Sequence, residues 1–200
     1  MTLTGRVVRL EPLMESHARD LTKVGLDERI WRYMRYGNIS SEEQMRFWIK
    51  DLLLAQNQGT DLPFAVVHLM TGVAIGSTRY LNIRHEHRAL EIGGTWYAVA
   101  HQRTAVNTEC KFMLLRHAFE TLECVRVQFK TDFRNVRSQR ALERIGAVKE
   151  GILRNHMLLP DGYIRDSVFY SIIDSEWPVI ESRLQKMLGY SLPVKEVVKS

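Results

Sequence analysis

The sequence predicts an α+β fold with a mixed, mainly antiparallel central sheet flanked by helices, and three observations carry that prediction. Runs of alternating apolar residues come in adjacent pairs joined by glycine turns, Met70-Thr71-Gly72 and Pro160-Asp161-Gly162. Segments with helical apolar spacing and recognisable start and stop residues separate those pairs. A lone strand also lies between two of these helical segments, giving the order strand, helices, three strands, helix, strand, helix, two strands, helix.

The elements follow in order. Gly5 to Leu13 alternates Val7, Arg9 and Glu11 against Val8 and Leu10, a first strand. A helical stretch from Met14 to Met34 is interrupted near Gly25. Ser40-Ser41-Glu42-Glu43-Gln44 sets hydroxyls three residues ahead of Glu43 and Gln44, a helix-start signature. The helix it opens carries Met45, Trp48, Ile49, Leu52 and Leu53 and ends near Gly59. Pro63 to Leu69 and Val73 to Ile83 form a hairpin, and Arg88 to Ala98 adds a third strand. Asn107 to Leu122 is an amphipathic helix, with Phe112, Leu115, Phe119 and Leu122 on one face and Lys111, Arg116 and Glu120 elsewhere. Strand Cys124 to Thr131 leads into a helix from Asn135 to Ile145, closed by Gly146. Two long strands, Ala147 to Leu159 and Tyr163 to Ile173, precede a last helix opening at Ser175-Glu176-Trp177-Pro178.

No repeat or low-complexity linker divides the chain, so one domain is expected over 1–188 and a loosely tied tail over 189–200. The 200 residues give a core large enough to need no disulfide or metal. Apolar and charged fractions of 45% and 26% are those of an ordinary soluble domain. No run has the length of a membrane span, and the N-terminus lacks the pattern of a secretion signal. Cys110 and Cys124 complete no zinc or redox spacing and read as buried thiols of a reducing compartment, so a cytoplasmic protein is expected. A net charge of +5 favours anionic partners, but no aromatic-interleaved RNA motif accompanies it, which ranks nucleic acid last.

The chemistry concentrates in Glu91-Ile92-Gly93-Gly94-Thr95-Trp96-Tyr97 and the segment His101-Gln102-Arg103-Thr104-Ala105-Val106-Asn107-Thr108-Glu109. Paired glycines inside a strand mark a bulge or a close backbone approach. The loop after it opens directly into a helix, whose first amides lack partners and whose dipole favours an anion, and Arg103 adds a charge there. A plainer reading has Asn107 and Thr108 capping the helix, helped by Glu109.

This passage resembles the acetyltransferase motif of the GNAT superfamily, in which a bulged strand feeds the loop Gln/Arg-x-x-Gly-x-Gly/Ala and a helix. Gln102, Arg103, Thr104, Ala105, Val106 and Asn107 occupy its six places, with Ala105 standing where the motif has glycine. From Arg6 to about Trp177 the chain is similar to the RimJ/RimL-like branch. Lys130-Thr131-Asp132 followed by Asn135 and Ser138, the Gly146 stop, and the hairpin from Glu150-Gly151 to Asp174 before Glu176-Trp177-Pro178 carry that likeness. The resemblance implies acetyl-CoA as co-substrate, no metal, and transfer to an amine, either a protein N-terminus or a small molecule. Residues 102–108, with Trp96, would then hold the coenzyme. Its pantetheine arm would lie between the bulged strand and Cys124 to Thr131, and Asn135 would bond the pantetheine amides.

Transfer needs a neutral amine, donors for a developing oxyanion, and a stabilised thiolate. Because an alkyl ammonium has a pKa of about 10, a carboxylate acting through water suits the first need. Glu91, just ahead of the glycines, is the leading candidate; the competing reading makes it a surface strand carboxylate paired with Arg88 or another neighbour. His101, His156 and Asp166 are weaker candidates. Backbone N–H groups around Gly93 to Trp96 would hold the oxyanion. Ser138, on the same helical face as Asn135, could bond the thiolate; alternatively Asn135 caps the helix and Ser138 is simply exposed. Arg134, Arg137, Arg140 and Arg144, at near-helical spacing, are placed to face the adenosine 3′-phosphate, an acidic substrate or merely solvent. Trp31, Tyr33, Tyr36 and Trp48 either shape an acceptor pocket or fill the core. A non-catalytic module binding a CoA ester is the alternative function, and an exposed edge strand in the last hairpin is where a homodimer would pair.

Overall fold

The computed structural model describes residues 1–190. Eight strands form one sheet: β1 (Leu3–Thr4), β2 (Val8–Pro12), β3 (Leu62–His68), β4 (Ala74–Arg84), β5 (Ala89–Tyr97), β6 (Arg126–Asp132), β7 (Val148–Leu158) and β8 (Ile164–Ile173). Their order across the sheet is β1-β2-β3-β4-β5-β6-β8-β7. Only β5 and β6 run parallel, Ala89 to Glu91 against Arg126 to Gln128, and the intervening helix makes the crossover that a parallel pair requires. This is the α+β fold with a mixed, mainly antiparallel sheet that the sequence predicts.

Six helices cover it: α1 (Ala18–Gly25), α2 (Glu28–Trp31), α3 (Glu42–Asn57), α4 (Ala105–Arg116), α5 (Val136–Ile145) and α6 (Trp177–Leu188). One core joins β2–β6 and β8 to α4, α5 and α6 through Phe64, Tyr80, Phe112, Phe129 and Tyr170. The other joins Leu21, Trp31, Met45, Trp48 and Ile49 of the first three helices to Ala65, Val67 and Trp96. The helices thus lie on opposite faces of the sheet, α1–α3 on one and α4–α6 on the other.

The interruption near Gly25 falls where the sequence puts it, while several boundaries differ from those expected. The stretch from Met14 to Met34 breaks into a one-turn 3₁₀ segment, α1 and α2. Trp31 Nε1 donates to the Gly25 carbonyl at 2.6 Å, and Asp27 caps α2, so the chain folds back at Gly25 rather than continuing. There a β-carbon would stand 2.8 Å from Trp96 and from Met45. Helix α4 starts at Ala105, because Thr104 Oγ1 accepts the Val106 amide at 3.3 Å and supplies the cap assigned to Asn107 and Thr108. It ends at Arg116 and passes into a π-turn, His117–Thr121, short of Leu122.

Nor is α4 amphipathic as its sequence suggests: Glu109 and Lys111 are buried with the apolar residues. Glu109 accepts the amides of Arg6, Val7 and Val8 at 2.7–2.8 Å and the Tyr190 hydroxyl. Of the expected tail, Gly189 and Tyr190 are described. Tyr190 is held by Glu109 and by Arg6, whose guanidinium lies 4.2 Å from the ring centre; the remainder lies outside the described residues.

Candidate active site

The sheet opens in its middle. Between the pairs Ser77↔Trp96 and Arg79↔Gly93, β5 spends three steps against two on β4, which is a bulge, and Gly94 takes a φ of +57° within it. β5 and β6 stop pairing after Glu91 and Gln128, yet both strands continue. Past that point their facing edges have no ladder partner, and their backbone groups turn toward a cleft of about 470 Å³ bounded by Gly93, Gly94, Thr95, Lys130 and Thr131.

On the α4 side, the loop from Gln102 to Thr104 borders this cleft. Its left-handed turn falls at Arg103, φ +61°, so Ala105 sits in ordinary helix and the missing glycine is not needed there. Gln102 Nε2 donates to the Tyr97 carbonyl at 3.0 Å, tying the loop to the bulged strand. Arg137, Arg140 and Arg144 of α5 line the same end, and Arg137 Nη1 donates to Gln102 Oε1 at 2.6 Å. Among the described residues none of these three, nor Arg103, has a carboxylate partner. Uncompensated guanidinium groups around a helix start fit a polyanionic coenzyme.

Asn135 caps α5, its Oδ1 accepting the Ser138 amide at 3.0 Å, and its Nδ2 hydrogens stay available to the cleft, which it and Ser138 both line. Lys111 enters from below. Its Nζ donates to Thr95 Oγ1 at 2.8 Å and sits 5.9 Å from the Phe129 ring, and burial pushes its ammonium down to about 8.

Glu91 stands on the opposite face, where β5 and β6 part. It is 3% exposed, and its Oε2 accepts from Asn82 Nδ2 at 2.9 Å and Gln128 Nε2 at 3.1 Å, with Lys130 Nζ 3.6 Å away. Arg88 instead donates to the Glu123 carbonyl, so the neighbour that pairs with Glu91 is Lys130, and the carboxylate is buried rather than at the surface. On this face the cleft is walled by Tyr33, Tyr36, Arg79 and Arg165. Burial lowers the Arg165 guanidinium from its ordinary value, with Asp132 and Glu91 acting against that.

The structure therefore brings Glu91, Trp96, Gln102, Arg103, Thr104, Asn107, Asn135 and Ser138 to one cleft. It does not bring Ala105, Val106 or Thr108 there. Ala105 is exposed, Val106 is core, and Thr108 is buried, bonded by Arg144 Nη2 at 2.9 Å. His101 packs on His68 with ring centres 5.1 Å apart, His156 bonds Ser167 at 2.9 Å, and Asp166 accepts the Asn155 amide, all off the cleft wall. Trp31 and Trp48 are core, whereas Tyr33 and Tyr36 line the opening. Arg134 clamps Asp132 instead of facing the coenzyme end. Lys111, Arg79 and Arg165 were not singled out from the sequence; a lone arginine or lysine in an alternating strand or helix carries no signal of its burial.

A mixed sheet split beside a bulge, cationic on one face and holding a buried carboxylate on the other, defines a class of domain that takes an extended anionic ligand between two strands. The chain belongs to the GNAT acetyltransferases: residues 8–148 match the family described as "Acetyltransferase (GNAT) domain". Over 109 residues it is 32% identical to the Bacillus subtilis (strain 168) protein named "Putative ribosomal N-acetyltransferase YdaF", covering 54% of this chain and 58% of that relative. A GCN5-related N-acetyltransferase from Brucella melitensis has the same fold, with a TM-score of 0.88 at 28% identity over 94% of this chain and 85% of that one. Mycobacterium smegmatis RimJ, in complex with CoA-disulfide, shares the fold at a TM-score of 0.78 and 21% identity over 94% and 93%. The family is the GNAT superfamily that the sequence resembles.

Proposed function

We propose that this chain moves an acetyl group from acetyl-CoA to a primary amine, a peptide N-terminus or a small molecule, by direct attack of the amine on the thioester. The observation that carries the reading is the cleft through the sheet, with unpaired arginines at its α4 end and buried Glu91 on its far face. Bound acetyl-CoA would supply the activated acyl group. Gln102 to Thr104, the start of α4 and the arginines of α5 hold its phosphates, and Asn135 Nδ2 bonds its amides. Free N–H groups of β5 near Gly94 polarise the carbonyl. Glu91, held in place by Lys130 and two amide donors, takes the amine proton through water, and Ser138 donates to the departing sulfur.

Among the described residues no helix is long and apolar enough to cross a membrane. The buried, free cysteines Cys110 and Cys124 support a cytoplasmic setting. Outer strand β7, exposing Val148, Ile152, Leu153 and Leu158, supports a homodimer paired along that edge.

The test is thiol release from acetyl-CoA against a panel of peptides and small amines. Turnover is expected, and Glu91→Gln should lower it about 100-fold near pH 7. The gap should narrow as pH approaches the amine pKa of about 10, where the acceptor needs no base. Tight CoA binding without thiol release across the panel would favour the non-catalytic module, and a fully active Glu91→Gln would remove Glu91 from the chemistry.

A further inference from the structure

On the Glu91 face of the cleft, each acid among the described residues has its own cation. Asp61 pairs with Arg79 at 3.3 Å, Glu91 with Lys130 at 3.6 Å, and Asp132 with Arg134 at 3.1 Å. Asp132 is held by Arg134, one oxygen taking the Arg134 amide and Nε and the other its Nη2. Arg165 is left over. It is 6% exposed, has no carboxylate within ion-pairing distance, and makes one hydrogen bond, from Nη1 to the Tyr33 carbonyl at 3.5 Å; its Nε has no acceptor. Arg79, 3% exposed, donates from Nη2 to the Tyr36 hydroxyl at 2.6 Å, while its Nε and Nη1 lack a hydrogen-bond acceptor despite Asp61 nearby. Both line the cleft.

A buried guanidinium without a partner is costly to keep, and its planar fork matches a carboxylate or a phosphate. We infer that the acceptor is a small amine that also carries an oxyanion, bound by Arg165 with help from Arg79. This rests on the acetyl transfer proposed above and narrows its substrate class. The arrangement is fixed rather than adaptable. Arg165 sits in β8 opposite Met157 of β7, and Arg79 sits in β4 opposite Gly93, beside the reacting end of the cleft. The same two cations also disfavour a second ammonium, so diamines should be poor acceptors. A purely structural Arg165, tying β8 to Tyr33, would not distinguish a charged acceptor from its neutral twin.

The test uses the full chain, acetyl-CoA and matched acceptors: β-alanine against β-alaninamide, O-phosphoethanolamine against ethanolamine, and 1,4-diaminobutane. Rates are compared at equal concentrations of unprotonated amine. The anionic member of at least one pair should have about tenfold or more higher kcat/KM, as expected for charge-assisted hydrogen bonds. Which pair shows it separates a carboxylate from a phosphate. In Arg165→Gln that ratio should collapse toward one, and Arg165→Lys should restore part of it. CoA affinity checks that each variant is folded. Equal rates within both pairs, preference for the neutral amines or the diamine, or a ratio unchanged in Arg165→Gln would overturn the inference while leaving acetyl transfer intact. Should no acceptor release thiol, acetyl transfer itself fails on this panel. Calorimetry of N-acetyl-β-alanine and its amide on CoA-loaded protein then decides the anion site: the acid should bind tighter, and equal or undetectable binding of both overturns it.

Discussion

Lys111 shows how burial, more than position on a helical wheel, sets the chemistry of a residue. Sequence spacing puts it off the apolar face of its helix, but it is buried beneath Thr95 of β5 and the Phe129 ring of β6, and no carboxylate accompanies it among the described residues. Burial lowers its ammonium from 10.5 to about 8. The unfolded chain therefore holds more protons than the folded one between those values, and stability rises with pH through that window. Below pH 8 the penalty is fully present; above 10.5 it is gone. Lys111→Met should thus be more stable than the parent by roughly 3 kcal/mol at pH 7, at about 1.4 kcal/mol per pH unit of displacement. The advantage should shrink steadily from pH 8 to 10. Urea unfolding of both proteins at each pH measures it, and taking the difference cancels the tyrosine and cysteine titrations that they share. An advantage that does not vary with pH would mean the ammonium is better solvated than its burial implies. Glu91 was legible because it precedes two glycines. Its partners were not, since Asn82, Gln128 and Lys130 come from two other strands whose register no local pattern specifies.

At the scale of elements, strand and helix existence was legible almost throughout, because hairpin turns and apolar periods are local signals. The start of α4 was displaced by two residues for a physical reason. Thr104, Asn107 and Thr108 can all cap, and Thr104 wins because its extended backbone presents Oγ1 to the Val106 amide. That choice moves the start of the helix next to Arg103, which is exposed and makes no ion pair among the described residues. Arg103→Glu should consequently weaken CoA binding by about tenfold or more, the loss of charged hydrogen bonds compounded by repulsion. The unfolding midpoint should hardly move, since no buried contact is lost. Calorimetric titration with CoA reads the first and thermal unfolding the second. Unchanged affinity would remove the coenzyme phosphates from this loop, whereas a large loss of stability would show that Arg103 serves the fold.

Across the whole molecule, what the sequence hid are contacts between segments about a hundred residues apart. Glu109 looked like a helix-start carboxylate helping the cap. Instead it points away from the cleft and gathers the amides of Arg6, Val7 and Val8 with the Tyr190 hydroxyl, joining the first hairpin, α4 and the chain after α6. Glycine at position 5 belongs to the same device, because a β-carbon there would stand 2.4 Å from Glu109 Cδ. Glu109→Ala should destabilise the domain by about 2–4 kcal/mol, since it strands several partly buried amides at once. Hydrogen exchange at Val7 and Val8 should accelerate more than in the central strands. Gly5→Ala should also destabilise, through the clash. The double variant should cost clearly less than the two losses added, since removing the carboxylate makes room for the new methyl. Denaturant unfolding of the four proteins closes this cycle. Strict additivity would mean that Glu109 does not pack against Gly5 and that the two positions stabilise the hairpin independently.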